Sequence, residues 1–275
     1  SKQKKGCKEM MGFDKFIGMV LKTLKKGRVK YSDDKKVDLT PFINESINNT
    51  LISELDSIIS KEDVNVLDDN NECHLASMLK VKEDAFANRT FVVSVNRKQL
   101  ANSFDFLKDT RIGALLRSST LSSIYYPIKD LWKKLIDTDK TKTYVMYVPK
   151  IFVFANLSEM DLYENAVFTN LLLVVTPTSD DIREANDEEM TKTDIKNRII
   201  TDTLEAVIRT GNHNVIIDPY SHKVLADNKY ESGSLWNEIA TSVRVGDNIT
   251  SIIFDFTFWD DEDFKLFVST TKEEK

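Results

Sequence analysis

Glycine is scarce in this chain, with eight residues among 275, and none lies between Gly27 and Gly113. That gap covers the place where an α/β nucleotide-binding protein usually carries its phosphate loop. The β-like run RTFVVSVN (89–96) is followed by RKQLANSFDFLKDTRIGALLRSSTL (97–121). A phosphate cradle needs backbone that approaches the ligand closely and turns through positive φ, which a Cβ obstructs. An ordinary glycine loop is therefore excluded after this run. Cysteine is also rare. Cys7 and Cys73 are too few for a disulfide framework and predict a reducing, intracellular compartment, cytoplasmic or nuclear. The histidines His74, His213 and His222 have no metal-site spacing, and the adjacent Cys73 and His74 cannot both ligate one ion well, so neither metal nor cofactor is implied. No apolar run approaches the roughly 20 residues of a membrane span. Lys15 and Lys22 interrupt the apolar stretch near the start, which spoils a secretory core.

Acidic and basic residues are divided unevenly. The net charge is −6, yet residues 1–30 hold ten Lys and Arg against Glu9 and Asp14, a local +8 that leaves −14 on the remainder. An acidic body repels a phosphate backbone, so nucleic-acid binding through it is disfavoured. The basic N-terminus could still contact nucleic acid or an anionic membrane. Phe13, Phe16, Ile17, Val20, Leu21 and Leu24 recur at helical spacing and predict an amphipathic helix whose stripe docks on the domain.

Beyond that helix, RVKYSDDKKVDL reads as a hairpin turning at Ser32–Asp34. Thr40 is a plausible N-cap, with Pro41 at the first helical position after it. Short strands are expected at VNVL (64–67) and RTFVVSVN, with a helix near ECHLASMLKV between them. TYVMYVPKIFVFAN is two strands or one bent strand broken at Pro149. In the last third, LLLVVTPT, NVIIDPY and SIIFDFTF are continuous apolar runs of the kind covered on both faces. A helix with Ile200, Leu204, Val207 and Ile208 on one side, stopped by Gly211, separates the first two, and GSLWNEIATSV separates the second and third. This alternation implies right-handed crossovers. The expected architecture is a three-layer α/β/α sandwich with a mixed sheet and an N-terminal helical extension. It forms one domain over residues 13–275 behind a basic tail at 1–12. The strands near 171–177, 214–218 and 251–257 are expected to be neighbours.

Three stretches together resemble the microbial-type poly(ADP-ribose) glycohydrolases, which are macrodomain proteins. LKTLKKGRVKYSDDKKVDLTPFINESINNT is similar to the family's opening helix, hairpin and Val-Asp-Leu. LLRSSTL (115–121) resembles the Arg-Ser-Ser-x-Leu that follows the catalytic acids, and YVPKIFVFAN resembles the strands after it. A strand, a long helix, NVIIDPYSHKVLADN and a helix containing Trp236 complete the order, so the resemblance spans roughly residues 15–258.

The family's chemistry is missing from the matching positions. Counted back without gaps from Ser118, its three glycines fall on Ala101, Asn102 and Ser103, and its Gln-Glu-Glu falls on Arg111, Ile112 and Gly113. Ile112 and Gly113 cannot act as acid or base at a ribosyl bond. The family's second glycine loop, which wraps the diphosphate, is replaced by Ser221, His222, Lys223, Val224, Leu225, Ala226 and Asp227. The resemblance thus implies an inactive macrodomain-like pseudoenzyme working through protein contacts. The alternative is a protein that still binds or hydrolyses ADP-ribose or a related nucleotide through rearranged loops, with Asp105, Asp109, Asp218 or His222 as acid or base.

Other groups have plainer readings. Asp218, Ser221 and His222 lie together past a strand, but no nucleophile elbow surrounds Ser221, and turn capping accounts for Asp218 and Ser221. Thr178, Ser179, Asp180 and Asp181 cap the segment after them. WDDEDF (259–264) suits the first turn of a terminal helix. Phe104 and Phe106, with Leu107, sit where a phosphate channel would be and either fill an old cleft or form a protein-binding patch.

Overall fold

Apolar runs and helix stops along the chain become a single mixed sheet with helices on both sides in the computed structural model. It describes residues 12–58, 88–107, 110–157, 159–186, 189–212, 214–217 and 253–256, together with Lys265. The first helix, α1 (Phe13–Lys26), ends at Gly27, which takes φ 62° so that its N–H can reach the Leu24 carbonyl at 3.1 Å. β1 (Arg28–Lys30) and β2 (Lys36–Asp38) then pair antiparallel as the expected hairpin. α2 (Thr40–Asn49) begins one residue earlier than the cap pattern suggests. Leu39 holds the cap position, and Asp38 accepts from the Thr40 N–H at 2.9 Å in place of a threonine cap.

The main sheet is ordered β3 (Leu51–Glu54), β5 (Tyr144–Asn156), β6 (Asp161–Thr176), β4 (Thr90–Asn96), β7 (Asn214–Ile217), β8 (Ile253–Phe256). The first two pairings are antiparallel and the last three parallel. The runs ending near residues 177 and 218 share this sheet but are not neighbours, because β4 lies between them. Parallel strands joined by a helix can skip a position at no cost to either run, so the runs alone do not reveal the insertion. β4 is buried on both faces over Thr90–Val95, as a central parallel strand requires. β5 is one bent strand: its register with β6 shifts between Val148 and Ile151, where Pro149 lacks a donor and Lys150 takes φ 53°. The bulge's polar groups are met by side chains, with Asn170 accepting the Lys150 N–H at 2.9 Å and Ser46 donating to the Lys150 carbonyl at 3.0 Å.

One face of the sheet is covered by α3 (Arg97–Ser103), α4 (Arg111–Ser118) and α5 (Leu121–Ile136), whose Leu100, Ile112, Leu116, Ile124 and Trp132 share a buried cluster with Phe91, Val93, Leu173 and Met146. The other face carries α7 (Lys192–Arg209), where Thr203 meets Ser94 of β4 hydroxyl to hydroxyl at 2.6 Å and Ile200, Leu204 and Val207 are fully buried. Gly211 comes next at φ 70°, the expected stop. A short helix, α6 (Ser179–Asn186), precedes α7. The strand expected at 64–67, the helices near 72–81 and 233–243, and the terminal acidic segment lie outside the described residues, as does the tail at 1–11.

The N-terminal extension belongs to the fold. Phe16 and Val20 are fully buried in a second cluster with Val29, Leu39, Phe152 and Phe154, whereas Phe13 is 56% and Leu21 50% exposed. Only part of the predicted stripe therefore docks. Phe16→Ala should lower the unfolding free energy by about 3–5 kcal/mol and Phe13→Ala by no more than about 0.5 kcal/mol. Urea unfolding checks both, and a small effect at Phe16 would mean that α1 does not fold with the sheet.

Candidate functional site

In parallel α/β sheets ligands bind beyond the carboxyl ends of the strands, so the crest above β4 and β6 is the first place to look. These strands are paired in parallel through Asn96 and Thr176. Asn96 turns β4 straight into α3. Its side chain accepts the Gln99 N–H at 2.9 Å, and the Gln99 side chain accepts the Asn96 N–H at 2.9 Å, a reciprocal capping box. Ala101, Asn102 and Ser103, where the resemblance puts a phosphate loop, form the end of this helix. Ser103 is buried, and its hydroxyl donates to the Gln99 carbonyl at 3.0 Å.

The opposite side of the crest is equally occupied. Thr178 and Asp181 cap α6 reciprocally: the Asp181 carboxylate accepts the Thr178 N–H and hydroxyl, each at 2.8 Å, and the Thr178 hydroxyl accepts the Asp181 N–H at 3.1 Å. Arg97, 12% exposed, joins the two sides. It donates to the Ile136 carbonyl, pairs with Asp137 at 2.6 Å and lies 3.8 Å from Asp181. Lys98 pairs with Asp180 at 2.6 Å and holds that carboxyl below its ordinary pKa. The two cations beside the β4 terminus are thus engaged by carboxylates, which offers little to an anionic ligand.

The remaining candidates show the same pattern. Arg111 and Ile112 open α4 after the Thr110 cap, whose hydroxyl accepts the Gly113 N–H at 3.0 Å. Ile112 is 1% exposed and belongs to the core. Arg117 is buried and donates to the Phe106 carbonyl at 2.6 Å, which pins the preceding turn. Ser118 donates to the Ala114 carbonyl at 2.9 Å. Ser119 and Thr120 tie the Arg-Ser-Ser element to β5, with Thr120 and Phe152 exchanging bonds at 3.0 and 3.1 Å. Asp105 accepts the Leu107 N–H at 2.9 Å. Phe104 stacks on Tyr125 with ring centroids 3.8 Å apart, Phe106 is half-buried, and Leu107 is 82% exposed. Asp109, Asp218, Ser221, His222 and Lys223 lie outside the described residues. No group of three or more His, Cys, Asp or Glu is placed to hold a metal among the described residues, and no helix among them is long and apolar enough to cross a membrane.

The residues that close the crest, Arg97 with Asp137 and Asp181, carry no motif. They could be found only by asking which charges come after two adjacent strands. α5 gave no separate signal either, since Pro127 sits within it.

These features define a three-layer α/β/α fold built on a mixed six-stranded sheet. The chain has the fold of poly(ADP-ribose) glycohydrolase from Thermomonospora curvata, with TM-score 0.62 and 13% identity over 93% of this chain and 97% of that one. The same enzyme bound to the inhibitor ADP-HPD gives 0.55 at 12% identity over 92% and 97%. A variant of the Deinococcus radiodurans enzyme in complex with ADP-ribose gives 0.52 at 11% identity over 84% and 98%. No protein-family model matches the chain, and no curated protein does.

A half-buried acid on α7 gives the fold an expected dependence on pH. Asp202 of α7 accepts from the Thr143 hydroxyl and lies 3.4 Å from Arg198, which also donates to the Thr141 carbonyl at 2.7 Å. Burial raises the Asp202 pKa above its ordinary value, with the Thr143 bond and the Arg198 charge opposing. The native state therefore binds this proton more tightly than the unfolded chain does. The resulting contribution to stability is full below the unfolded value and is lost as pH rises through the folded one. Asp202→Asn lacks that loss, so its stability relative to the unmodified protein should rise as pH increases from about 4 toward neutrality. Urea midpoints across pH test this, and parallel profiles would refute it.

Proposed function

We propose that this chain is a non-catalytic macrodomain-like module that works through protein contacts. One observation carries the proposal: the positions matching the family's first phosphate loop and its acids are occupied by a capped helix and by Ile112 and Gly113. Phosphate recognition by backbone needs free N–H groups at a turn, and at the start of α3 the Asn96 and Gln99 N–H groups are taken up by the capping box. General acid–base chemistry at the ribosyl bond needs a carboxyl in reach, which neither Ile112 nor Gly113 supplies. The proposed partner surface is the turn of Phe104 and Phe106, where Leu107 projects an exposed apolar side chain next to the half-buried pair.

The second reading is retained ADP-ribose or nucleotide binding, with or without hydrolysis, through rearranged loops. It is favoured by the shared fold with a glycohydrolase whose structure contains ADP-ribose. Its candidate acids are Asp105, Asp109, Asp218 and His222, of which Asp105 already accepts a backbone N–H.

Titration with ADP-ribose separates the two. A ligand present at about 100 times its Kd would stabilise the fold by about 2.7 kcal/mol, a melting-temperature rise of several degrees. We expect no binding heat and no thermal shift at millimolar ADP-ribose, and no release of ADP-ribose from modified protein or polymer. Asp218→Ala and His222→Ala should change neither result. Micromolar affinity, or turnover that one of these substitutions abolishes, would replace the first reading with the second.

A further inference from the structure

A cavity of about 630 Å³ opens between α1, α3 with its following turn, α4 and α5. Leu24, Phe104, Phe106, Tyr125 and Trp132 form its apolar walls. Its size is that of a small-molecule site, which typically measures about 300–1,000 Å³. Close-packed interiors rarely leave voids larger than a water molecule, so an aromatic-walled space this large is suited to an occupant. Ser103, Ile112 and Gly113 do not line it.

The apolar wall and the charge at the rim narrow the chemistry. Trp132 is fully buried at the wall, and its indole Nε1 has no hydrogen-bond partner. That nitrogen has no accessible surface, so it offers no donor to a molecule in the cavity, and the wall that Trp132 backs is apolar. At the rim, Lys129 and Lys133 lie one turn apart on α5, and neither pairs with a carboxylate among the described residues. Like charges at that spacing destabilise a helix, and an anion between them removes the repulsion. Arg97, at the same rim, is already held by Asp137 and Asp181 and is not available.

We propose that the cavity binds a small amphipathic carboxylate, an aliphatic chain with one anionic end, with the chain against the aromatic walls and the carboxylate at Lys129 and Lys133. The aliphatic part would be recognised by burial and the head by charge-assisted hydrogen bonds. The full chain, stripped of lipid on a hydrophobic resin, is titrated with the fluorescent fatty acid 11-(dansylamino)undecanoate. Saturable binding of one molecule per chain, displaced by palmitate but not by ADP-ribose, is expected. The double variant Lys129→Glu/Lys133→Glu changes one half-buried and one exposed rim position, neither of them in the core, so it should keep the melting temperature while weakening binding by about tenfold or more. A carboxylate analogue lacking the charge, the methyl ester, should bind the unmodified protein and the double variant equally. In 15N spectra the Trp132 indole resonance, assigned through Trp132→Phe, should move on addition of palmitate. The proposal fails if no binding is seen to about 1 mM, or if the charge-reversed variant binds as well as the unmodified chain. It also fails if the fluorescent acid responds only in the presence of phosphatidylglycerol vesicles, which would indicate a membrane surface instead.

Discussion

The turn out of β4 is the constraint around which the rest of this molecule is arranged. β4 is central, parallel to β6 on one side and β7 on the other, and buried on both faces, so its direction and register are set by the core. The chain beyond Asn96 is not so constrained. A turn with free backbone N–H groups and a helix are both compatible with that strand, and the reciprocal bonds between Asn96 and Gln99 select the helix. Once α3 is formed, Arg97 necessarily sits at its first position beside the end of β6. From there one guanidinium can meet the last carbonyl of α5, the Asp137 carboxylate and the Asp181 cap of α6 together.

That arrangement makes Arg97 a three-way fastening. A cation near the C-terminus of α5 is favoured by the partial negative charge of the unpaired carbonyls there, and Asp181 near the N-terminus of α6 is favoured by the opposite partial charge. Arg97 and Asp181 are mostly screened from water while Asp137 is 66% exposed, so loss of the guanidinium would fall mainly on Asp181 and the Ile136 carbonyl. Farther along, the Phe104–Tyr125 stack and the Arg117 bond to the Phe106 carbonyl fix the turn after α3 against α4 and α5. The local geometry of the crest thus arises from one strand terminus and two capped helices, with no part left over for a flexible loop among the described residues.

Much of the fold is legible in the sequence because burial on both faces leaves continuous apolar runs and because helix stops have specific residues. Leu171–Val175, Val215–Ile217 and the α7 stripe ending before Gly211 were readable for these reasons. The hairpin at Ser32–Asp34 and the bend at Pro149 were readable from turn and breaker chemistry. Strand order was not, since nothing in a run records which parallel strand stands next to it, and β4 entered between two strands that are consecutive in the chain. α5 was obscured by its internal Pro127, and the Thr40 cap was displaced because the helix begins at Thr40 itself, whose N–H Asp38 accepts from outside the helix. At the site, the missing glycines were visible directly. The charge bridge was not, because Arg97, Asp137 and Asp181 belong to three elements brought together only by the sheet.

A fold at 13% identity to the Thermomonospora enzyme can persist while its loops change because the two depend on different residues. The sheet and its layers rest on buried aliphatic and aromatic side chains, which tolerate substitution as long as volume and pattern hold. A glycine loop contributes nothing to that core and is costly to order, by roughly 0.5–1 kcal/mol per glycine relative to alanine. A loop held open for a phosphate is therefore retained only under the demand of a ligand. On the proposed non-catalytic reading that demand has lapsed, and the helix capped by Asn96 and running through Ala101 stands where the turn would be. The exchange runs in the direction expected when a functional strain is released. Phe104 and Phe106 pack against the core while lining the cavity, and Leu107 after them is left 82% exposed.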